Sequence, residues 1–315
     1  MNEVVDTLSL LSAGTLGGSS ELVSDRNNWY KSVSTLAETE SLCEHPASSD
    51  EAIERIVKRS RLDDLFSEAV WKDEFDDSVE KENDIEIRPR LWVSNIAGAS
   101  VWRKDFRSRA RRIFPEAEFG PLKLANFEDY DLSVLDSAIN ILETEFTEIW
   151  DCCKNTIHLI VLHDSQVVSM QNSYTPETIY LGTAILQKPA WVVADAILHE
   201  SLHERTLLQR QLWRLLAHEY DEDQAPSVHL PWSGGSVPDR FFTPWRLISA
   251  AHVYTHLSIF RNTLGLQEEM KIPVERGMFM LEALNGEEFD RWLGVEGREL
   301  RDLLLLVLRE VANAN

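Results

Sequence analysis

Two pairs of histidines in this chain are spaced so that each pair could bind a metal ion. The first pair, His199 and His203, forms an HExxH motif, and the second pair is His252 and His256. Side chains four residues apart project from one face of an α-helix, so both imidazoles of a pair can reach the same ion. Two ligands from one helix and a third from another would give a three-histidine site with open coordination positions, as a catalytic metal requires.

Imidazole binds both zinc and iron, so the ligands alone do not select the metal or the reaction. In a zinc metallopeptidase the metal lowers the pKa of its bound water, and Glu200 within the motif would act as the general base. The strand predicted at Thr178–Gly182 would then be an edge strand that holds the substrate backbone. Glu219 could supply a third zinc ligand, although its acidic surroundings are also typical of a solvated turn.

A third hypothesis is a non-catalytic peptide-binding protein with a structural metal. If all four histidines bound the ion, the coordination shell would be closed and no position would remain for a substrate. The sequence also allows an interpretation without metal, in which His199 and His203 are ordinary buried histidines and Glu200 pairs with a base such as Arg205.

The order of motifs after the HExxH segment bears on these alternatives. A long loop leads to Pro-Trp-Arg at residues 244–246, and Val-Tyr-Thr-His-Leu follows at residues 253–257. Over roughly residues 155–265, this order resembles the HEXXH-motif domain of a family of peptide-modification proteins, and it is more specific than HExxH alone. Members of that family occur beside ribosomally synthesised, post-translationally modified peptides and are understood as iron(II)- and α-ketoglutarate-dependent peptide β-hydroxylases.

The resemblance implies the same activity here, that of a dioxygenase that hydroxylates a precursor peptide. It implies iron(II) as the metal and α-ketoglutarate (2-oxoglutarate) as the cosubstrate. The implied ligands are His199, His203 and one histidine of the second pair, with His256 preferred over His252. Glu200 would in this case need only to orient a ligand or the substrate.

An α-ketoglutarate site also needs a partner for the distal carboxylate of the keto acid, and the forked donors of a guanidinium suit that carboxylate. Arg246 is the first candidate, because it precedes the second histidine pair on the same predicted helix. Arg205, two residues after His203, is the second candidate. Trp245 and Trp232 could line the pocket, although aromatic residues beside prolines are more often packing elements.

Helices and short strands must position these residues. The segment Ala190–Trp213 contains no glycine or proline and predicts one long, largely buried helix that carries the HExxH motif. The apolar run from Thr156 to His163 predicts a buried strand, and Thr178–Gly182 predicts a second. Further helices are predicted at Leu132–Trp150, Arg246–Thr263, Val274–Leu284 and Val295–Val311. The prediction is a helix-dominated α+β fold of zincin-like arrangement, with a small sheet beside the HExxH-bearing helix.

Composition and charge exclude several classes of partner. The 315 residues are 43% hydrophobic, which is enough for one large domain or two modest ones. The net charge of -22 repels nucleic acid and anionic lipid, and no apolar run approaches the roughly 18 residues of a membrane helix. We therefore expect neither nucleic acid nor membrane as a partner. The acidic start and three cysteines without a CxxC spacing favour a cytoplasmic protein.

The distribution of charge suggests two regions. Residues 1–88 are acidic and are predicted to form a mostly helical N-terminal region, with one helix over residues 49–65. Residues 89–315 are predicted to form the metal-binding catalytic domain, which begins with a basic amphipathic helix over residues 101–114. The family resemblance makes the acidic region a candidate docking site for the leader of a precursor peptide.

Overall fold

The computed structural model describes residues 85–89, 91–95, 123–124, 130–164, 167–172, 175, 177–234 and 239–313. The helices predicted over residues 49–65 and 101–114 lie outside the described residues. The described chain divides into two compact units. The sheet unit comprises the described residues up to Leu142 together with Cys153–Glu204, and the helical unit comprises Glu143–Cys152 and the chain from Arg205 onward.

A mixed sheet of six short strands forms the centre of the sheet unit. Its strands are β1 (Ile85–Arg88), β2 (Leu91–Asn95), β3 (Lys123–Leu124), β4 (Leu159–Asp164), β5 (Ser169–Gln171) and β6 (Thr178–Gly182). The order across the sheet is β1-β2-β4-β6-β5, and β3 pairs with the end of β4. Strands β2, β4 and β6 are parallel, whereas β1, β3 and β5 run antiparallel to their neighbours. The small mixed sheet and the predominance of helices agree with the α+β class.

The two predicted strands are confirmed as β4 and β6, but the predicted edge position of Thr178–Gly182 is wrong. Strand β6 lies inside the sheet, between β4 and β5, and all five of its residues are buried. Its continuous apolar character is typical of a strand covered on both faces. The edge strand is β5, whose sequence Ser-Met-Gln is only partly buried.

The helix predicted at Leu132–Trp150 is interrupted. Helix α1 (Ser133–Glu145) ends before Phe146, and helix α2 (Thr147–Cys153) begins after it. The Thr147 hydroxyl donates to the Glu143 carbonyl oxygen at 2.6 Å. A side-chain bond of this kind competes with the backbone ladder and bends helices.

The HExxH motif lies on a continuous helix, as predicted. Helix α3 (Ala190–Leu212) follows Pro189 and a 3-10 turn at Thr183–Gln187. The residues of α3 up to Glu204 belong to the sheet unit, and those from Arg205 belong to the helical unit. No helix in the described part of the chain is both long enough and apolar enough to cross a membrane.

The helical unit contains four further helices and a two-stranded hairpin. The helices are α4 (Pro244–Thr263), α5 (Gln267–Leu284), α6 (Glu287–Asp290) and α7 (Val295–Asn313), and the hairpin pairs β7 (Val228–His229) with β8 (Phe241–Phe242). Helix α5 begins seven residues before the predicted Val274, because the buried Pro273 lies inside the helix instead of starting it. The core of the unit is formed by residues such as Leu247, Leu281 and Leu304.

The backbone that follows α3 lies directly against the start of α7. Gly294 N–H donates to the Leu215 carbonyl oxygen at 3.0 Å. A Cβ atom added at Gly297 would lie 1.9 Å from that same carbonyl oxygen, and one added at Gly294 would lie 1.9 Å from the Arg214 carbonyl oxygen. Only glycine permits this approach, because the neighbouring atoms belong to the backbone and not to a movable side chain.

Candidate functional site

The HExxH histidines form a close pair on α3, within the sheet unit. The ring centroids of His199 and His203 are 4.9 Å apart, and both side chains are partly buried. Burial and, to a smaller extent, the neighbouring His199 lower the pKa of His203 to about 3. His203 is therefore neutral at pH 7, which is the form of imidazole that binds a metal ion.

The second pair lies on α4, within the helical unit. His252 and His256 are both buried, with ring centroids 4.3 Å apart. The Nδ1 atom of His256 lies 2.7 Å from the His252 carbonyl oxygen. Because a carbonyl oxygen can only accept, Nδ1 carries the proton and Nε2 carries the lone pair. A ring held in this way by a second hydrogen bond is typical of a metal ligand.

The surroundings of His256 keep it neutral. Burial lowers its pKa to about 4, the bond to the His252 carbonyl opposes that shift, and the positive charge of Arg205 adds to it. Arg205 is itself buried and donates to the Cys152 carbonyl oxygen at 2.9 Å. These residues all belong to the helical unit.

His252 is in contact with the last part of α3. Its Nδ1 atom lies 2.9 Å from the hydroxyl oxygen of Thr206, a fully buried residue that follows His203 by three positions. Sequence reasoning did not single out Thr206. Thr206 and Arg205 together place the segment of α3 that belongs to the helical unit beside the histidine pair of α4.

Glu200 is held by the edge strand of the sheet unit. Its side chain is buried, the Ser169 hydroxyl donates to its Oε1 atom at 2.6 Å, and the Gln171 backbone amide donates to the same carboxyl group. Burial raises the pKa of Glu200 to about 7, and the two hydrogen bonds oppose that shift. The carboxyl group of Glu200 is thus engaged with β5.

Glu204 is a functional candidate that the sequence reasoning missed. It follows Glu200 by four residues and is equally buried, at 5% exposure. Its Oε1 atom accepts from the Glu177 backbone amide at 2.8 Å, and its Oε2 atom accepts from the Gln171 side-chain amide at 2.5 Å. The signal that could have revealed Glu204 is its spacing from Glu200, which is the same four-residue spacing that links the histidines of each pair.

The two arginines proposed for the keto acid have different environments. Arg246, the first candidate, is 61% exposed, and its Nε atom lies 3.9 Å from a carboxylate oxygen of Glu222. Arg205, the second candidate, is buried beside His256. Of the two, Arg205 is the arginine that the structure brings next to a predicted metal ligand.

The two tryptophans that could line a pocket are both packed against arginines. The guanidinium carbon of Arg210 lies 4.5 Å from the ring centroid of Trp245, and that of Arg276 lies 5.1 Å from the ring centroid of Trp232. Neither cation–π contact could be predicted from the sequence. Glu219, the ligand considered for a zinc peptidase, is exposed.

Among the residues that the structure describes, no group of three or more histidine, cysteine, aspartate or glutamate side chains is arranged to hold a metal ion. Neither a scan against models of known protein families nor a search of curated proteins finds a match for this chain. The resemblance to the HEXXH-motif family stays a prediction from the sequence.

Proposed function

We propose that this protein is an iron(II)- and α-ketoglutarate-dependent hydroxylase of zincin-like arrangement that acts on a ribosomally synthesised precursor peptide. His199, His203 and His256 would hold the metal. The observation that carries this proposal over the zinc peptidase alternative is the engagement of Glu200 by strand β5.

The protonation of the histidines fits a divalent metal. His203 and His256 are neutral at pH 7, and His256 directs its proton to a backbone carbonyl and keeps its lone pair on Nε2. When bound, iron(II) supplies the chemistry by which α-ketoglutarate and dioxygen become succinate and carbon dioxide while a peptide C–H bond becomes C–OH. Nitrogen ligands of this kind suit iron as well as zinc.

The hydrogen bonds of Glu200 oppose the role that a peptidase requires. A general base must be within hydrogen-bond reach of the water whose proton it takes. Glu200 instead accepts from Ser169 and from the amide of Gln171. The same bonds also engage the edge strand, which is the element that a peptidase would use to bind its substrate backbone. Both features support a role in which Glu200 orients a ligand or the substrate and does not act as a general base.

Arg205 is the better of the two partners for the keto acid. A buried guanidinium holds a carboxylate more strongly than an exposed one, because water competes less for its donors. Arg205 meets this condition and lies beside His256, whereas Arg246 is exposed beside Glu222. We assign the distal carboxylate of α-ketoglutarate to Arg205.

The test of the function is anaerobic purification with metal analysis, followed by addition of iron(II), α-ketoglutarate and oxygen. We expect a visible charge-transfer band when α-ketoglutarate is added without oxygen, and succinate when oxygen is admitted. Tightly bound zinc together with cleavage of peptides, and no succinate, would instead establish the metallopeptidase.

Glu200→Gln distinguishes the same alternatives within one protein. Glutamine keeps an acceptor for Ser169 or Gln171 but cannot take a proton, so general-base catalysis would fall by about 10²–10⁴-fold. For a positioning role we expect bound metal and succinate formation without peptide to stay within about tenfold of wild type. Loss of both, with metal retained and an unchanged melting temperature, would contradict the positioning role.

The choice between His256 and His252 as the third ligand is tested by their alanine variants. His252→Ala removes an imidazole but keeps the backbone carbonyl that orients His256, so we expect a loss of metal affinity of no more than about tenfold. His256→Ala should cost more than about 100-fold, because it removes a ligand and not an orienting group. The measurement is competition with a chromophoric chelator.

The two histidine variants control for each other, since both residues are buried on one helix and both changes leave a similar cavity. The reverse order of affinities would identify His252 as the ligand. Equal losses above about 100-fold would support a closed four-histidine structural site.

A further inference from the structure

Glu200 and Glu204 both bind the edge strand β5, within the sheet unit. Glu200 accepts from the Ser169 hydroxyl and the Gln171 backbone amide. Glu204, one helical turn later, accepts from the Gln171 side chain at 2.5 Å. Glu200 therefore contacts both ends of this three-residue strand, and Glu204 contacts its Gln171 end.

Glu204 also binds Glu177, the residue immediately before β6. Its second bond is to the amide of Glu177, which adopts a φ of 58° and is the only non-glycine residue with positive φ in the described part of the chain. L-residues other than asparagine and aspartate rarely adopt this conformation, and it persists only where the surroundings impose it. The Glu177 carbonyl accepts from His158 and Leu159, and its carboxylate lies 2.5 Å from the His158 ring.

A buried carboxylate is a costly way to obtain stability alone. Its desolvation offsets much of the gain from its hydrogen bonds, and an apolar side chain of similar size is often equally stable. What a carboxylate adds is a defined position for the donors that it binds. At Glu204 those donors come from Gln171 and Glu177, the two residues that bracket the connection from β5 to β6.

We propose that Glu204 is a positioning residue for the HExxH site. It fixes β5 and Glu177 on α3, so that Ser169 and the Gln171 amide remain aligned with Glu200. The proposal rests on the proposed function only in taking Glu200 and the histidines of α3 as functional groups. The position of the edge strand then depends on Glu204, the residue that immediately follows the second HExxH histidine.

The experiment removes the acceptors of residue 204 and then restores its hydrogen bonds without the negative charge. Glu204→Met has a side chain of similar size but no oxygen atoms, so the bonds from Gln171 and from the Glu177 amide are lost. Glu204→Gln keeps both bonds, because its carbonyl oxygen can accept from the Glu177 amide while its NH2 group donates to the side-chain carbonyl of Gln171 after that amide turns over. Glu288→Gln, at an exposed position of α6, is the control for removal of one negative charge.

Two measurements are made on metal-free protein and on protein loaded with cobalt(II) alone. We expect Glu204→Met to speed amide hydrogen exchange of residues 167–172 at least tenfold, while β4 and α6 exchange as in wild type. We expect it also to change the visible absorption spectrum of cobalt(II), which a purely structural role would leave unaltered. Glu204→Gln and Glu288→Gln should change neither.

Unchanged exchange in Glu204→Met, or exchange in Glu204→Gln as fast as in Glu204→Met, would overturn the positioning role. Altered exchange with an unaltered cobalt(II) spectrum would also overturn it, because Glu204 would then hold β5 without influencing the metal site. If wild type does not bind cobalt(II), the proposed function fails instead, and the exchange data still decide whether Glu204 holds the strand.

Discussion

Replacing His203 with alanine is expected to abolish tight metal binding. His203 is neutral at pH 7 because burial and His199 lower its pKa to about 3, so its lone pair is available without loss of a proton. Loss of a group that only orients a ligand already costs about 10–100-fold in affinity, and loss of a ligand should cost more. We expect a decrease above about 100-fold for iron(II), cobalt(II) and zinc.

The matched control is His229→Ala. His229 is an exposed histidine that lies 3.1 Å from Asp239, far in sequence from both pairs, and its removal should leave metal affinity unchanged. Affinities are measured by chelator competition, and melting temperatures of the metal-free proteins are compared. Metal binding by His203→Ala at wild-type strength would exclude the HExxH site and leave the motif as part of an ordinary packed interior.

Replacing Gly297 with alanine is expected to destabilise the helical unit by about 3 kcal/mol or more, at the upper end of what overpacking costs. A Cβ atom at this position would lie 1.9 Å from the Leu215 carbonyl oxygen and 2.8 Å from its carbonyl carbon. Neither atom can move without displacing the backbone that follows α3. The measurement is the free energy of unfolding from urea denaturation.

Gly277→Ala is the control, because this glycine also lies inside a helix and against another element. The closest atom to its added Cβ is a Leu308 methyl carbon at 2.8 Å, at the far end of a flexible side chain. The strain should be relieved by a rotamer change, and the higher helix propensity of alanine contributes about 1 kcal/mol in the opposite direction. We expect a net change within about 1 kcal/mol; equal losses at residues 277 and 297 would contradict the backbone contact.

The elements with strong apolar patterns could be predicted from the sequence. Strand β4, helix α3 and helix α7 were predicted within a few residues, because β4 and most of α3 are buried and α7 buries one face, and each kind of burial requires a distinct order of apolar residues. Strand β5 could not be predicted, since Ser-Met-Gln is too short for its alternation to be recognised, and its partners β6, Glu200 and Glu204 come from other parts of the chain. The edge position assigned to Thr178–Gly182 was wrong for the same reason.

The candidate site was predicted in part. The spacing of the two histidine pairs is a local property of a helix, and each pair is in ring contact as that spacing requires. The environments of Arg246 and Arg205 depend on packing between elements distant in sequence, so their order of preference could not be judged from proximity to a motif. The metal, the substrate peptide and the role of Glu200 stay predictions that the proposed experiments test.

The contact between Gly297 and Leu215 also constrains the order in which the chain acquires its structure during synthesis. The backbone that follows α3 leaves the ribosome first, and its partner at the start of α7 is synthesised about eighty residues later. Helix α7 also supplies Leu304 and Leu308 to the core of the helical unit. Until α7 has left the ribosome, the apolar residues of α4 and α5 that pack against it stay exposed, and exposed apolar surface of this kind is prone to aggregation.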